Sequence, residues 1–192
     1  RLDKLRRVNG HRMKNLRPFR FGISSNGATT RAAWLALAHK TEAQGYSTLL
    51  ISDHLYNQIG PVSALMAAAD ATTTLRVGSF MLANDFRHPV LLAQEAATLD
   101  LLSGGRFELG LGTGWLKGDY EKSGIPFDAP GVRIARMAEA LQIVKGCWAD
   151  QPFTYSGVYY KVNELNGLPK PMQKPRPPIM IGGGGQRILS IA

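Results

Sequence analysis

The chain has 192 residues, 44% of them apolar and 19% charged, a composition that supports one folded domain with a real core and excludes intrinsic disorder. Its longest apolar stretches, such as Ile179-Met180-Ile181, fall far short of the roughly 18 residues of a membrane span, and no charged-then-apolar signal pattern opens it, so a cytoplasmic protein is expected. A single cysteine, Cys147, excludes an internal disulfide and a thiolate-dependent zinc site, which leaves stability to the core.

The net charge of +9 is unevenly spread. Residues 1–20 carry eight basic side chains (Arg1, Lys4, Arg6, Arg7, Arg12, Lys14, Arg17 and Arg20) against Asp3 alone, whereas the rest of the chain has 15 basic and 13 acidic residues. Residues 1–18 are therefore expected to form a solvated basic arm ahead of a domain spanning 19–192. Contact of that arm with nucleic acid or an anionic surface is the lesser alternative. A chain that opens at Arg1 without Met is expected to be part of a longer protein.

From Phe19 onward, short β-type runs alternate with longer helical stretches. The first four runs, at 20–24, 48–52, 76–80 and 107–112, start 28, 28 and 31 residues apart, the spacing of one βα unit each. Residues 31–44 place Trp34, Leu37, Ala38 and Thr41 on one face and stop at Gly45. Pro89 opens a helix carrying Leu92, Ala96 and Leu99 that ends at Ser103-Gly104-Gly105. A further helix follows Pro130-Gly131, with Ile134, Met137, Ala138, Leu141 and Val144 at core spacing. The rhythm then breaks: Phe153-Thr154-Tyr155 and Val158-Tyr159-Tyr160 flank Ser156-Gly157 as an inserted hairpin. Residues 168–178 hold five prolines and should run extended over the surface. A fifth strand is expected at 179–182, followed by four glycines and the start of another helix.

In a parallel α/β architecture the site lies beyond the carboxyl ends of the strands. The second run ends in Ser52-Asp53-His54, the third in Ser79 and later Asn84-Asp85, the fourth in Gly112-Thr113-Gly114-Trp115 and the fifth in Gly182-Gly183-Gly184-Gly185. Of the four histidines only His54 sits just past a buried strand beside a carboxylate. An imidazole there can exchange a proton with a reacting atom, and Asp53 can hold the ring or a ligand group; the alternative is a histidine satisfied by a loop carbonyl. The four glycines leave their amides unshielded ahead of a helix and can hold a phosphate, or they form a flexible turn. Gly110-Leu111-Gly112-Thr113-Gly114 is a weak dinucleotide signal, because Trp115 stands where a third glycine should fall and the run lies on the fourth strand.

Several spaced motifs then become recognisable in order: Ser52-Asp53-His54-Leu55, Asn84-Asp85-Phe86-Arg87-His88-Pro89, Leu102-Ser103-Gly104-Gly105-Arg106, Gly110 to Trp115, Gly124-Ile125-Pro126-Phe127, and Pro178-Ile179-Met180-Ile181 before the four glycines. Over residues 19–192 the chain resembles the luciferase-like monooxygenase superfamily, in particular its deazaflavin-dependent (coenzyme F420) oxidoreductase branch. The resemblance implies an α/β fold, a (β/α)8 TIM-type barrel that is incomplete here at about five βα units plus the hairpin. It implies F420 as cofactor, with FMN in a monooxygenase as the alternative, a small-molecule substrate and a homodimer. It also implies that His54 assists proton transfer, that Asp53 contacts the ring, and that Ser79-Phe80 forms a strand-three bulge with a non-prolyl cis peptide under the ring. Thr113 would line the ring, and Gly182, Gly183, Gly184 and Gly185 would take the phosphate. In one sugar-phosphate dehydrogenase subgroup an aromatic residue and a glutamate stand where this chain has Gln58 and Trp115, which argues against that substrate. Because five strands leave an open core face, the chain is expected to be the N-terminal two-thirds of an enzyme. The rival from another class is a binding module whose basic arm meets an anionic polymer on an inactive barrel scaffold.

Overall fold

Leu49, Ile51, Val77, Phe107, Leu109 and Leu111 come from three short runs of sequence, and each is at most 2% exposed. Runs so apolar on both faces belong in a parallel sheet covered by helices. The computed structural model describes residues 19–56 and 58–191 and pairs them that way; the basic arm lies outside the described residues. In chain order the first half contains β1 (Gly22–Ser24), α1 (Arg31–Ala43), β2 (Thr48–Ile51), α2 (Pro61–Asp70), β3 (Arg76–Ser79), β4 (Leu82–Ala83), a single 3₁₀ turn at Asn84–Phe86 and α3 (Pro89–Leu102). The second half contains β5 (Phe107–Gly112), α4 (Lys117–Ser123), α5 (Pro130–Trp148), β6 (Phe153–Ser156), β7 (Lys161–Leu165), β8 (Ile179–Ile181) and α6 (Gln186–Leu189).

The parallel strands form one arc in which β1 pairs with β2, β2 with β3, and β5 with β3 and β4 on one side and β8 on the other. This is the incomplete (β/α) barrel that the resemblance implies. Between β3 and β4 the register against β5 slips: Gly78 faces Glu108 but Leu82 faces Leu111, so one extra residue on that side must bulge outward.

Local chemistry sets the helix ends. Thr30 caps α1 by accepting the Ala33 N–H at 3.2 Å. Pro89 opens α3, and Gly104 and Gly105, at φ 67° and 79°, close it with backbone that side chains resist. Helices α3 and α5 pack together, joined by the Trp148 indole N–H donating to Ala93 O at 2.9 Å.

Two of the sequence-based readings need correction. Helices α2 and α4 do not figure among the sequence-based elements; α2 is nearly apolar all round, and α4 is too short for periodicity to reveal. The second hairpin strand starts at Lys161, not Val158, because the Glu139 carboxylate of α5 accepts the N–H groups of Val158, Tyr159 and Tyr160 and holds them as the turn. The proline-rich segment keeps largely to the surface, as expected, with Pro171 and Pro177 buried, and it is pinned there by Gln173. Gln173 N–H donates to the fully buried Asp100 at 2.9 Å, and its side-chain amide donates to Asp100 and to Phe107 O. Among the described residues no helix is long and apolar enough to cross a membrane.

The link from α2 to β3 supplies a pH test. Glu42 of α1 accepts the N–H groups of Thr73, Thr74 and Leu75 at 2.9, 2.6 and 2.9 Å. These bonds, the one from Thr74 foremost, favour the carboxylate and lower its pKa from 4.5 to about 2. A depressed folded-state pKa gives stability that is complete above the unfolded value and fades as pH falls toward the folded one. Denaturant midpoints should therefore fall between about pH 4.5 and pH 2, and Glu42→Gln should flatten that part of the profile. An unchanged slope in the variant would remove Glu42 from the acid response.

Candidate active site

Parallel pairing brings the carboxyl ends of β2, β3, β5 and β8 to one side, and there the protein encloses a cavity of about 430 Å³, within the usual range for small-molecule sites. Asp53, His54, Phe80, Thr113, Gly182 and Gly183 all line it. Ser79 does not: it is fully buried beneath the wall, where its hydroxyl donates to Gly110 O and accepts from Gly110 N, both at 2.8 Å. Gly184 and Gly185 are exposed and lie outside the lining.

The floor is built by subtraction. Met81 occupies the bulge after β3, and a Cβ on Gly182 would come within 2.8 Å of Met81 Cγ, while one on Gly112 would come within 3.3 Å of Met81 Cβ. Two glycines thus let the strands close around one thioether side chain. The bulge contains a non-prolyl cis bond at Phe80-Met81, one residue beyond the expected Ser79-Phe80 position. Strand bonding runs to the end of the expected 76–80 run, since Ser79 pairs with Ile51 and Phe80 N–H donates to Ile51 O at 2.8 Å.

The carboxylate beside His54 in sequence is not its partner in space. Asp53 accepts both terminal nitrogens of Arg87, at 2.5 and 3.2 Å, and the Ala83 N–H at 3.0 Å. His54 instead places Nδ1 2.8 Å from Oδ2 of Asp119 in α4, whose Oδ1 accepts the Leu55 N–H at 3.1 Å. The Trp115 ring stands edge-on to the imidazole, with centroids 6.1 Å apart.

Tyr120, the next residue of α4, lies under the Gly112 to Gly114 turn. Its hydroxyl donates to Thr113 O at 3.2 Å, with Asp85 3.3 Å away. Burial, reinforced by the negative Asp85, pushes its pKa up to about 12, so the group stays a donor through the physiological range. From α5 the buried Arg133 donates to Thr113 O at 3.2 Å and to Gly114 O, and its guanidinium lies 4.2 Å from the Phe127 ring centroid. The turn is therefore held from both sides. Sequence reasoning overlooks Asp119, Tyr120 and Arg133 and gives Arg87 no role although it stands in the Asn84 to Pro89 motif; for Arg133 the nearby Gly124 to Phe127 motif is the one usable signal. Gln58 is committed elsewhere, bonded to the Ser52 hydroxyl at 2.8 Å and the Ser52 carbonyl at 2.6 Å.

Residues 15–192 match the family model described as luciferase-like monooxygenase. Over 136 residues the chain is 32% identical to an FMNH2-dependent dimethylsulfone monooxygenase of Pseudomonas putida, covering 71% of this chain and 37% of that protein. Over 159 residues it is 31% identical to an F420-dependent glucose-6-phosphate dehydrogenase of Microbacterium testaceum, covering 79% and 46%. Among solved structures it resembles the coenzyme F420-dependent tetrahydromethanopterin reductase of Methanopyrus kandleri with a TM-score of 0.80 at 27% identity, over 90% of this chain and 52% of that one. The chain thus spans about half the length, or less, of these relatives.

Gly114 offers a test of how tightly the turn is packed. At φ 73° it occupies backbone that side chains resist, and a Cβ there would collide with the Tyr120 hydroxyl. Gly114→Ala should cost about 1–3 kcal/mol from crowding and backbone strain together, read as a lower urea midpoint. A midpoint equal to the unmodified protein's would show that the turn and Tyr120 yield easily.

Proposed function

The chain belongs to the luciferase-like monooxygenase family, and on that basis we propose that it forms the proton-handling wall of an oxidoreductase site built for a deazaflavin, coenzyme F420. The observation that carries this reading is the convergence of His54, the Met81 floor and the glycine-lined end of β8 in one cavity. A tricyclic ring needs broad apolar surfaces and few charges. Phe80, Met81, Leu82, Phe86 and Trp115 supply the surfaces, and among the described residues no Lys or Arg lines the cavity.

When bound, the deazaflavin supplies hydride transfer that side chains cannot perform. The protein's part is to hold and to move protons. His54 is the residue for the second task, since it is partly exposed to the cavity and carries a nitrogen not engaged by Asp119. Gly183 lines the cavity, and among the described residues the N–H groups of Gly183, Gly184 and Gly185 have no backbone acceptor, which suits them to a phosphate. Asp53, clamped by Arg87, acts by holding the start of the 83–87 segment against β2, and Ser79 acts from beneath by closing the bulge. Thr113, Phe80 and Gly182 border the ring.

The second reading is an FMN-dependent monooxygenase, favoured by the relative that uses FMNH2. Gln58 clamped on Ser52 and Trp115 exposed at the rim leave the glucose 6-phosphate reaction of the Microbacterium relative without its expected aromatic and acidic groups.

Separate titrations with F420 and FMN, followed by cofactor absorbance and fluorescence, decide between the readings, and failure of both to bind would overturn them together. Turnover is then sought with glucose 6-phosphate under F420 and with dimethylsulfone under reduced FMN, and no glucose 6-phosphate activity is expected. With an active pair in hand, His54→Ala should lower turnover at saturating cofactor roughly 10²–10⁴-fold while changing cofactor affinity little, as the loss of an acid–base group does. Gly182→Val, which pushes a side chain into Met81, should weaken cofactor binding and spare turnover at saturation. Full activity in the His54 variant would take that residue out of the chemistry.

A further inference from the structure

We propose that Asp119 is the positioning residue for His54: it fixes the ring's orientation and its tautomer, so that Nε2 is the proton-accepting atom offered to the cavity. The inference rests on the reading of His54 as the proton handler, but its geometry stands independently of any cofactor.

The two oxygens of Asp119 hold consecutive residues. Oδ2 takes the His54 ring at 2.8 Å and Oδ1 takes the Leu55 N–H at 3.1 Å, so ring and backbone are gripped by one planar group. That group is itself anchored: Asp119 lies in the first turn of α4, where its own N–H donates to Leu116 O at 3.0 Å. Its side chain is 3% exposed, against 23% for His54. Rotating the imidazole by half a turn would put a carbon where Nδ1 stands, leaving a buried carboxylate oxygen without a donor, which is costly. Trp115, edge-on to the ring, also crowds that rotation.

The tautomer follows from donor arithmetic. An ionised carboxylate only accepts, so Nδ1 must carry a hydrogen whether the ring is neutral or charged. In the neutral ring the remaining lone pair is then on Nε2, for which the described residues provide no hydrogen-bond partner. Among the described residues the other carboxylate lining the cavity, Asp53, already accepts Arg87 and Ala83. The same logic, with a carboxylate selecting the imidazole nitrogen that does the work, governs catalytic triads on unrelated folds.

The test is nitrogen-15 NMR of the histidine ring in the unmodified protein and in Asp119→Asn. At a pH where the ring is neutral, the unmodified protein should show His54 protonated at Nδ1 and bare at Nε2. In Asp119→Asn the amide oxygen keeps the Leu55 N–H, the amide nitrogen turns to the ring as a donor, and the tautomer should reverse to a proton on Nε2. A thermal melt confirms that the variant folds; should it not fold, the spectrum of the unmodified protein decides alone. Protonation at Nε2 in the unmodified protein, or an unchanged tautomer in a folded Asp119→Asn, would overturn the proposal. Because the spectrum is recorded without cofactor, a correct tautomer combined with a fully active His54→Ala would sink the proton-handling reading and leave the positioning by Asp119 intact.

Discussion

The Ser79 hydroxyl and the backbone of Gly110 exchange two hydrogen bonds of 2.8 Å in a fully buried place, and the pocket depends on that contact. At this point β3 leaves β5 by one extra residue before β4 rejoins it. A bulge inside a buried sheet exposes backbone donors and acceptors that must be satisfied, and a hydroxyl that both donates and accepts is the smallest group able to do so. Gly110 is equally constrained, since a Cβ there would run into the Ser79 carbonyl. With the gap closed, the displaced residues Phe80 and Met81 become the wall and floor of the cavity.

The charges around that cavity are arranged as closed pairs. Asp53 faces Arg87, Asp119 faces His54, and Asp85 lies 3.1 Å from Arg136 as well as near the Tyr120 hydroxyl. Each carboxylate is at most 3% exposed, and an unpaired one at that depth would be strongly destabilising. Pairing also confines their fields, so the apolar rings on the wall meet a ligand without a free charge beside them. Of these pairs, only His54 with Asp119 has both members in the cavity lining.

Much of this is legible from residues 20 to 185. Strand positions, the helix starting at Pro89 and the gathering of His54, Thr113 and Gly183 follow from apolar runs, a proline at a helix start and the one-sidedness of parallel βα units. The pairings are not. Asp53 is the carboxylate adjacent to His54 in sequence, yet successive residues leaving a strand point in different directions, and the true partner comes from 65 positions away on a seven-residue helix. The hairpin register is hidden for a similar reason: Val158 to Tyr160 have β-forming side chains, but a carboxylate from α5 takes their N–H groups and overrides propensity.

A second ionic system lies at the opposite ends of the same strands. Glu108, near the start of β5, accepts Arg20 at 2.8 Å and Arg76 at 2.5 Å, and Arg76 passes the contact to Gln173, which is bound to Asp100. This chain of contacts links the segment before β1, the first residue of β3, the body of α3 and the segment before β8. It ties the arc together from beneath, so the loops at the carboxyl ends need not carry that load. The bulge at 80–81 and the left-handed Gly114 lie at the cavity end. Division of a barrel into a stabilising end and a chemical end is thus written here in specific side chains: arginine and glutamate below, and histidine, methionine and glycine above.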